Sequence, residues 1–176
     1  MTPADPTEDE RLWRAVVDAE RALAHHRAEF HRHARDEVAV LRSALGDGSA
    51  WQRGAALSHL RQQPADPAPV RELVELAMSP GWALEARGVL ERVPAEHLTP
   101  ALDALLAAAL EELRDGDADL YSRWAELLVH VRAWPLLRRV QDRAAASREP
   151  EVREVAAWIA DAFATAATAA AATAHA

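Results

Sequence analysis

Between Glu8 and Leu45 the chain contains no proline and no glycine, and its apolar side chains recur at intervals of three, four or seven residues. This spacing places the apolar side chains on one face of an α-helix, which turns by about 100° per residue. The segment therefore predicts either one helix of about 38 residues, roughly 57 Å long, or two shorter helices with a break near a histidine-rich stretch. The sequence Gly-Asp-Gly at residues 46–48 ends this unit, which spans residues 8–46.

After residue 48, prolines and glycines divide the chain at regular intervals into short helical segments. Thr7 and Ser49 are predicted N-caps, Thr99 and Pro100 are predicted as an N-cap followed by a first-turn proline, and Pro135 begins another helix. No segment alternates apolar and polar residues with β-branched enrichment, which predicts an all-α fold. Residues 1–7 are predicted to form a disordered lead, and the Ala/Thr-rich tail at 165–176 either extends the last helix or frays.

Composition excludes several kinds of chemistry. The chain has no cysteine and no lysine, which rules out thiolate catalysis, disulfides and Schiff-base chemistry. Asparagine is also absent and isoleucine occurs once; because these residues and lysine have AT-rich codons, we infer a GC-rich bacterial genome. No phosphate-binding loop, nucleophile elbow or His-Glu-x-x-His motif is present. We predict no catalytic residue, no cofactor and no enzymatic activity.

Charge and hydropathy restrict the partners and the location. The formal net charge of −8 argues against nucleic-acid binding, which normally requires a basic surface. No apolar run approaches the roughly 20 residues that a membrane span requires, and the acidic first residues do not resemble a secretory signal. The sequence therefore predicts a cytoplasmic protein that does not enter a membrane.

Four arginines occupy a recurring position, each in the first helix of a predicted helix pair and each just before small or apolar residues. They are Arg53, Arg87, Arg123 and Arg153, at intervals of 34, 36 and 30 residues. A helix pair that recurs at about this interval is typical of an α-solenoid.

The last helical segment, EPEVREVAAWIADAF, resembles the opening helix of a HEAT-type repeat, and WQRGAALSHL and WALEARGVLERV are weaker matches to the same pattern. The resemblance covers about residues 49–164, and the third unit departs from it by placing Trp124 where a small residue is usual. It implies a short right-handed solenoid of HEAT-like helix pairs whose second helices line a concave face, and such arrays usually bind proteins. Most tryptophans are expected to pack between repeats.

The stretch HHRAEFHRHARDE at residues 25–37 contains four of the eight histidines. On a helical wheel His26, Glu29 and His33 share one margin of the apolar stripe, whereas His31 points to the opposite side. An imidazole–carboxylate–imidazole set of this kind could bind a divalent metal. We predict instead a solvated helix margin without a metal, and a pH-sensitive contact surface is a third interpretation.

A protein partner would contact either an exposed aromatic anchor or the groove formed by the second helices. Trp13 is the anchor candidate because it lies outside the main apolar stripe of the first helix. Seven charged residues are expected on or near the groove: Arg71, Glu72, Glu75, Asp103, Arg138, Arg139 and Arg143.

These observations lead to a hypothesis of a non-catalytic protein-interaction module that binds or occludes a protein partner, as an inhibitor or immunity-type protein does. Two alternatives remain open. One is a HEAT-like nucleic-acid-binding or DNA-repair protein that uses the arginine-rich face, and the other is a metal-binding helical protein. The sequence leaves the oligomeric state open.

Overall fold

The computed structural model describes residues 7–63, 66–112 and 117–173, and the side chains of 169–173 lie outside that description. Across these residues the fold is all-helical and contains no strand, as the sequence predicts. No described helix is both long enough and apolar enough to cross a membrane. The helices are α1 (Glu8–His33), α2 (Glu37–Gly46), α3 (Ala50–Gln62), α4 (Val70–Ala77), α5 (Ala83–Leu90), α6 (Ala95–Glu112), α7 (Ala118–His130), α8 (Trp134–Ala145) and α9 (Pro150–Thr173).

The long N-terminal unit consists of two helices that are separated at residues 34–36. Ala34 leaves the helical region, with φ −63° and ψ 129°, and Asp36 caps α2 by accepting a hydrogen bond from the Ala39 amide at 2.9 Å. The Asp36 carboxylate satisfies an amide that would lack a partner in the first turn of α2. The N-terminal unit is thus two helices rather than one continuous helix, and the break lies directly after the histidines.

Two predicted helix starts are confirmed, and both form capping boxes. The Thr7 hydroxyl accepts from the Glu10 amide at 3.3 Å, while the Glu10 carboxylate accepts from the Thr7 amide at 2.7 Å. Ser49 and Gln52 exchange the same two bonds at the start of α3. These reciprocal bonds satisfy two otherwise unpaired amides at each helix start. The predicted disordered lead lies outside the described residues except for Thr7, and α9 continues through the Ala/Thr-rich tail to Thr173.

The predicted start of α6 at Thr99 and Pro100 is wrong. The helix begins at Ala95, and Pro100 lies inside it. Leu98, Leu102 and Leu106 are buried at intervals of four residues and therefore share one face of the helix. Because this face packs into the core from Leu98 onward, the helix extends before the proline despite the amide that Pro100 lacks.

Packing links neighbouring and alternate helices. Within the described residues α2 contacts α3 and α4, α3 also contacts α5, α4 contacts α5 and α6, and α7, α8 and α9 contact one another. These helices share a single cluster of buried apolar residues that runs from Leu41 to Ile159. Helix α1 is different, because it contributes no buried residue and has no extensive packing against another described helix.

Three of the four recurring arginines bind backbone carbonyls at the ends of other helices. Arg53 donates to Leu45 O at 3.0 Å and to Gly46 O at 2.8 Å, at the end of α2. Arg123 donates to Met78 O, the C-cap of α4, at 2.6 Å. Arg153 donates to Ser147 O and Arg148 O beyond the end of α8. Carbonyls at helix C-termini lack amide partners and carry partial negative charge, so Arg53 and Arg123 satisfy and stabilise the ends of α2 and α4, whereas Arg153 holds the connection between α8 and α9.

Arg87 differs from the other three recurring arginines. Its Nη2 donates to Glu126 of α7 at 3.0 Å, so it joins two helices through an ion pair rather than through a helix end.

The expectation that most tryptophans lie in the core is wrong. Among the six, only Trp124 is buried, with 5% exposure. Trp82 and Trp134 are half-buried, and the other three are exposed: Trp13, Trp51 and Trp158. Trp124 occurs on α7 among the core leucines, where its ring contributes a large buried apolar surface.

Helix α7 ends in a Schellman motif whose left-handed position is filled by an arginine. Arg132 has φ 57°, and the Ala133 amide donates to Leu128 O at 2.9 Å while the Arg132 amide donates to Val129 O at 3.1 Å. Glycine adopts this conformation without the steric cost that Cβ imposes. Replacing the exposed Arg132 by glycine is therefore expected to raise the free energy of unfolding by about 1 kcal/mol.

That gain corresponds to a rise of about 2–4 °C in the melting temperature, measured by calorimetry or circular dichroism. Arg132→Ala retains Cβ and is the matched control, for which we expect no gain. A glycine variant that melts at or below the wild-type temperature would contradict the assignment of strain to this residue.

Candidate functional site

Three side chains that could bind a metal converge at the C-terminal end of α1. His31 comes from the last turn of α1, Glu37 from the first turn of α2, and His59 from α3. The Glu37 carboxylate joins the two imidazoles: its Oε2 lies 2.9 Å from His31 Nδ1, and its Oε1 lies 2.7 Å from His59 Nε2. One ligand atom from each of the three residues lies within 4.8 Å of the other two. Within the described chain, this is the cluster whose geometry suits a metal ion.

The break between α1 and α2 creates this convergence. On a continuous helix His31 and Glu37, six residues apart, would be separated by about 240° around the axis and could not meet. Residues 34–36 redirect the chain, so that the first turn of α2 returns towards the last turn of α1. His59 then completes the cluster from α3, which packs against α2.

Burial decreases within the cluster from His59 through Glu37 to His31. His59 is 4% exposed and its ring meets the edge of the Phe30 ring, with centroids 5.3 Å apart. The Glu37 side chain is 15% exposed, and that of His31 is 47% exposed. A buried imidazole and a largely buried carboxylate satisfy each other's hydrogen-bonding capacity. The same set offers two ring nitrogens and a carboxylate to a ligand that approaches from the His31 side.

The three metal candidates named by the sequence do not form one cluster, although Glu29 and His33 are neighbours. Glu29 instead pairs with Arg32, and His33 Nε2 lies 3.4 Å from Glu29 Oε2. His26 is exposed and its ring lies 5.7 Å from that of His25. His31, which the helical wheel places opposite these residues, is the α1 histidine that joins a cluster.

An exposed apolar surface extends along α1 and into a groove beside α3 and α5. Leu12, Val16 and Leu23 are exposed large hydrophobic residues of α1, and Trp13 is 68% exposed. The groove has a volume of about 590 Å³, and its lining is mostly apolar. Its walls are formed by Leu23, Arg27, Ala50, Trp51, Gly54, Ala55, Ser58 and Trp82.

The exposed surface is held in place at its C-terminal end. Arg27 Nη2 donates to the Ser58 hydroxyl at 2.9 Å, which ties the sixth turn of α1 to α3. Trp51 is 89% exposed and forms the outer wall of the groove.

Most of the charged residues predicted to line a groove have partners within the protein. Asp103 of α6 pairs with Arg139 of α8, and Glu72 lies 3.7 Å from Arg42. The Arg138 guanidinium lies 4.3 Å above the ring of Phe163. The two ion pairs partly neutralise the charges of Glu72, Asp103 and Arg139 before a partner arrives. Three more of the predicted groove residues are exposed on α4 and α8: Arg71, Glu75 and Arg143.

Sequence reasoning missed Glu37 and His59 as members of the cluster. The signal that could have found Glu37 is the pair Asp36-Glu37, an N-cap followed by a first-turn acid, which marks a new helix directly after the histidines. His59 carries no comparable signal.

In comparisons with known proteins, no family model, no curated protein and no solved structure matches this chain.

Proposed function

We propose that the protein is a non-catalytic protein-interaction module whose docking element is α1, and that the partner bound there is a second copy of this chain. The observation that carries the proposal is that α1, a 26-residue amphipathic helix, has no buried residue. An uncovered apolar stripe of this length costs free energy in water and marks a contact surface.

The remaining helices form the scaffold, for which we propose a short HEAT-like solenoid. Two features support this organisation. The first is the contact between alternate helices, α2 with α4, α4 with α6, α3 with α5, and α7 with α9. The second is the arginine that recurs in α3, α5, α7 and α9. In stacked helix pairs each unit contacts its neighbours through equivalent positions.

The stripe on α1 has the spacing of a two-stranded coiled coil. Its members alternate at intervals of four and three residues, as the a and d positions of a heptad do. They are Leu12, Val16, Ala19, Leu23, His26 and Phe30. Only the last of these packs on the protein's own core, beside His59. The first four turns of the stripe are therefore available to another helix.

The distribution of charge along α1 favours antiparallel pairing with α1 of a second copy. Residues 8–20 carry five carboxylates and two arginines, whereas residues 21–33 carry three arginines, four histidines and one glutamate. An antiparallel pair places the acidic half of each helix beside the basic half of the other, so the surface is complementary to itself. Self-complementary surfaces of this kind form two-fold symmetric dimers.

The register of this pair explains the exposed Trp13. If the two-fold axis passes Ala19, the small side chain permits close approach of the two helices. Trp13 of one copy then lies opposite residue 25 of the other, beside Leu23 and the groove that Trp51 borders. A tryptophan inserted into an apolar groove is the kind of contact that dominates interface energies.

Sedimentation equilibrium of the purified chain tests this proposal. We expect a monomer–dimer equilibrium, and we expect Val16→Glu to shift it to monomer, because the new carboxylate would be buried in the stripe. Trp51→Ala removes one wall of the groove and should raise the dissociation constant about tenfold or more.

Leu84→Glu is the matched control, since Leu84 of α5 is also an exposed aliphatic residue (74%, against 50% for Val16) and lies outside the proposed interface. We expect this variant to dimerise like the wild type. Circular dichroism of each variant checks that the exposed substitutions leave the fold intact. A wild-type chain that remains monomeric at hundreds of micromolar, or a dimer that Val16→Glu leaves unchanged, would disprove the proposal.

A further inference from the structure

We propose that His31, Glu37 and His59 form a binding site for one divalent transition-metal ion, best suited to Zn²⁺, which fastens α1 to α2 and α3. The proposal does not rest on the dimer, because the three ligands are not members of the apolar stripe and come from the ends of α1 and α2 and from α3.

The ligand set determines the class of metal. Two imidazole nitrogens with one carboxylate suit Zn²⁺ and its neighbours, whereas Ca²⁺ and Mg²⁺ prefer sites made of oxygen atoms. His31 would bind through Nδ1 and His59 through Nε2, the two ring nitrogens that already face Glu37.

The three ligand atoms need little movement to surround an ion. Zn²⁺ binds nitrogen and oxygen at about 2.0–2.2 Å, which places ligand atoms of a tetrahedral site about 3.3–3.5 Å apart. His31 Nδ1 lies 2.9 Å from Glu37 Oε2 and His59 Nε2 lies 2.7 Å from Glu37 Oε1, and one ligand atom of each residue lies within 4.8 Å of the other two. Binding would therefore lengthen the first two spacings by roughly half an ångström and close the widest spacing by at most about 1.5 Å. His31 is the most exposed of the three, and rotation of its side chain can supply the adjustment.

The burial of the three ligands also fits a metal ion that has one coordination position open to water. His59 and Glu37 are held within the packing, which fixes two ligands before the ion binds. The third ligand faces solvent, so water can complete a tetrahedral site from that side. Because the ligands come from three helices, the bound ion links the base of α1 to the body of the protein.

Titration of untagged, chelator-treated protein with Co²⁺ tests this site, since tetrahedral Co²⁺ has strong visible absorption. We expect saturation at one ion per chain and displacement of the Co²⁺ spectrum by Zn²⁺. A hundredfold excess of Zn²⁺ over its dissociation constant should raise the melting temperature by about 5–10 °C. His31→Gln and Glu37→Gln should each weaken binding by more than the 10- to 100-fold typical of outer-shell changes.

His26→Gln and His33→Gln are the matched controls, because these histidines lie on the same helix but outside the cluster. Both should bind the ion as the wild type does. His31→Gln changes an exposed residue, so it tests the site even if substitution at His59 unfolds the protein. Absence of saturable binding at one ion per chain, or binding that depends on His26 and His33 rather than His31, would overturn the proposal.

Discussion

Replacing Trp124 by alanine is expected to lower the free energy of unfolding by about 3–5 kcal/mol. Trp124 is the one buried tryptophan of the described chain and packs among leucines of the single core cluster. Its removal deletes a large apolar surface and leaves a cavity that helices α7 to α9 can only partly fill. Urea unfolding followed by circular dichroism measures the loss as a lower midpoint at constant slope.

Trp51→Ala is the control for that experiment, because the same side chain is removed from a position that is 89% exposed. In dilute solution, below the range of dimerisation, its free energy of unfolding should stay within about 0.5 kcal/mol of the wild type. Equal losses for the two variants would show that Trp124 does not contribute to the core in the way the structure indicates.

Replacing any of the three arginines that bind helix ends by methionine is expected to cost about 1–2 kcal/mol. Methionine keeps an apolar stem but removes the guanidinium, so carbonyls at the ends of α2 and α4, or in the connection that follows α8, lose their charged partner. The expected loss of unfolding free energy is smaller than that for a fully buried charged hydrogen bond, because these arginine side chains are partly exposed. Thermal or urea unfolding of Arg53→Met, Arg123→Met and Arg153→Met measures it.

Arg143→Met is the matched control, since Arg143 is exposed on α8. We expect its stability to change by no more than about 0.5 kcal/mol. If Arg143→Met costs as much as the three other substitutions, the effect comes from net charge and not from the helix ends.

Much of the helical framework could be predicted from the sequence because helix ends are governed by local chemistry. Thr7 and Ser49 start helices through bonds to residues three positions away, and Gly46 ends α2 where the sequence places the end. The start of α6 could not be predicted in this way, because burial of Leu98 against other helices outweighs the local signal of Thr99 and Pro100. Tertiary packing decides such cases.

The candidate site depends more heavily on tertiary structure. The sequence shows that histidines are concentrated near residues 25–33, but it cannot show that His59, from a separate helix, meets Glu37. The helical wheel fails for His31 because it assumes a continuous helix, and the break at 34–36 changes which face of α1 meets the body. The recurring arginines were visible as a pattern, but their bonds to helix ends became apparent only in the fold.

Among the described residues, the hydrogen bonds and ring contacts that tie α1 to the helices after it lie near its C-terminal end, at Arg27, Phe30 and His31. The part of α1 that precedes Arg27 therefore projects from the body, and any rotation of the helix at its C-terminal end would displace the N-terminal end most. With 26 residues the helix is about 39 Å long, so a rotation of about 10° at its base moves the tip by about 7 Å. A change of a few tenths of an ångström among His31, Glu37 and His59 would thus be amplified at Trp13, several turns away.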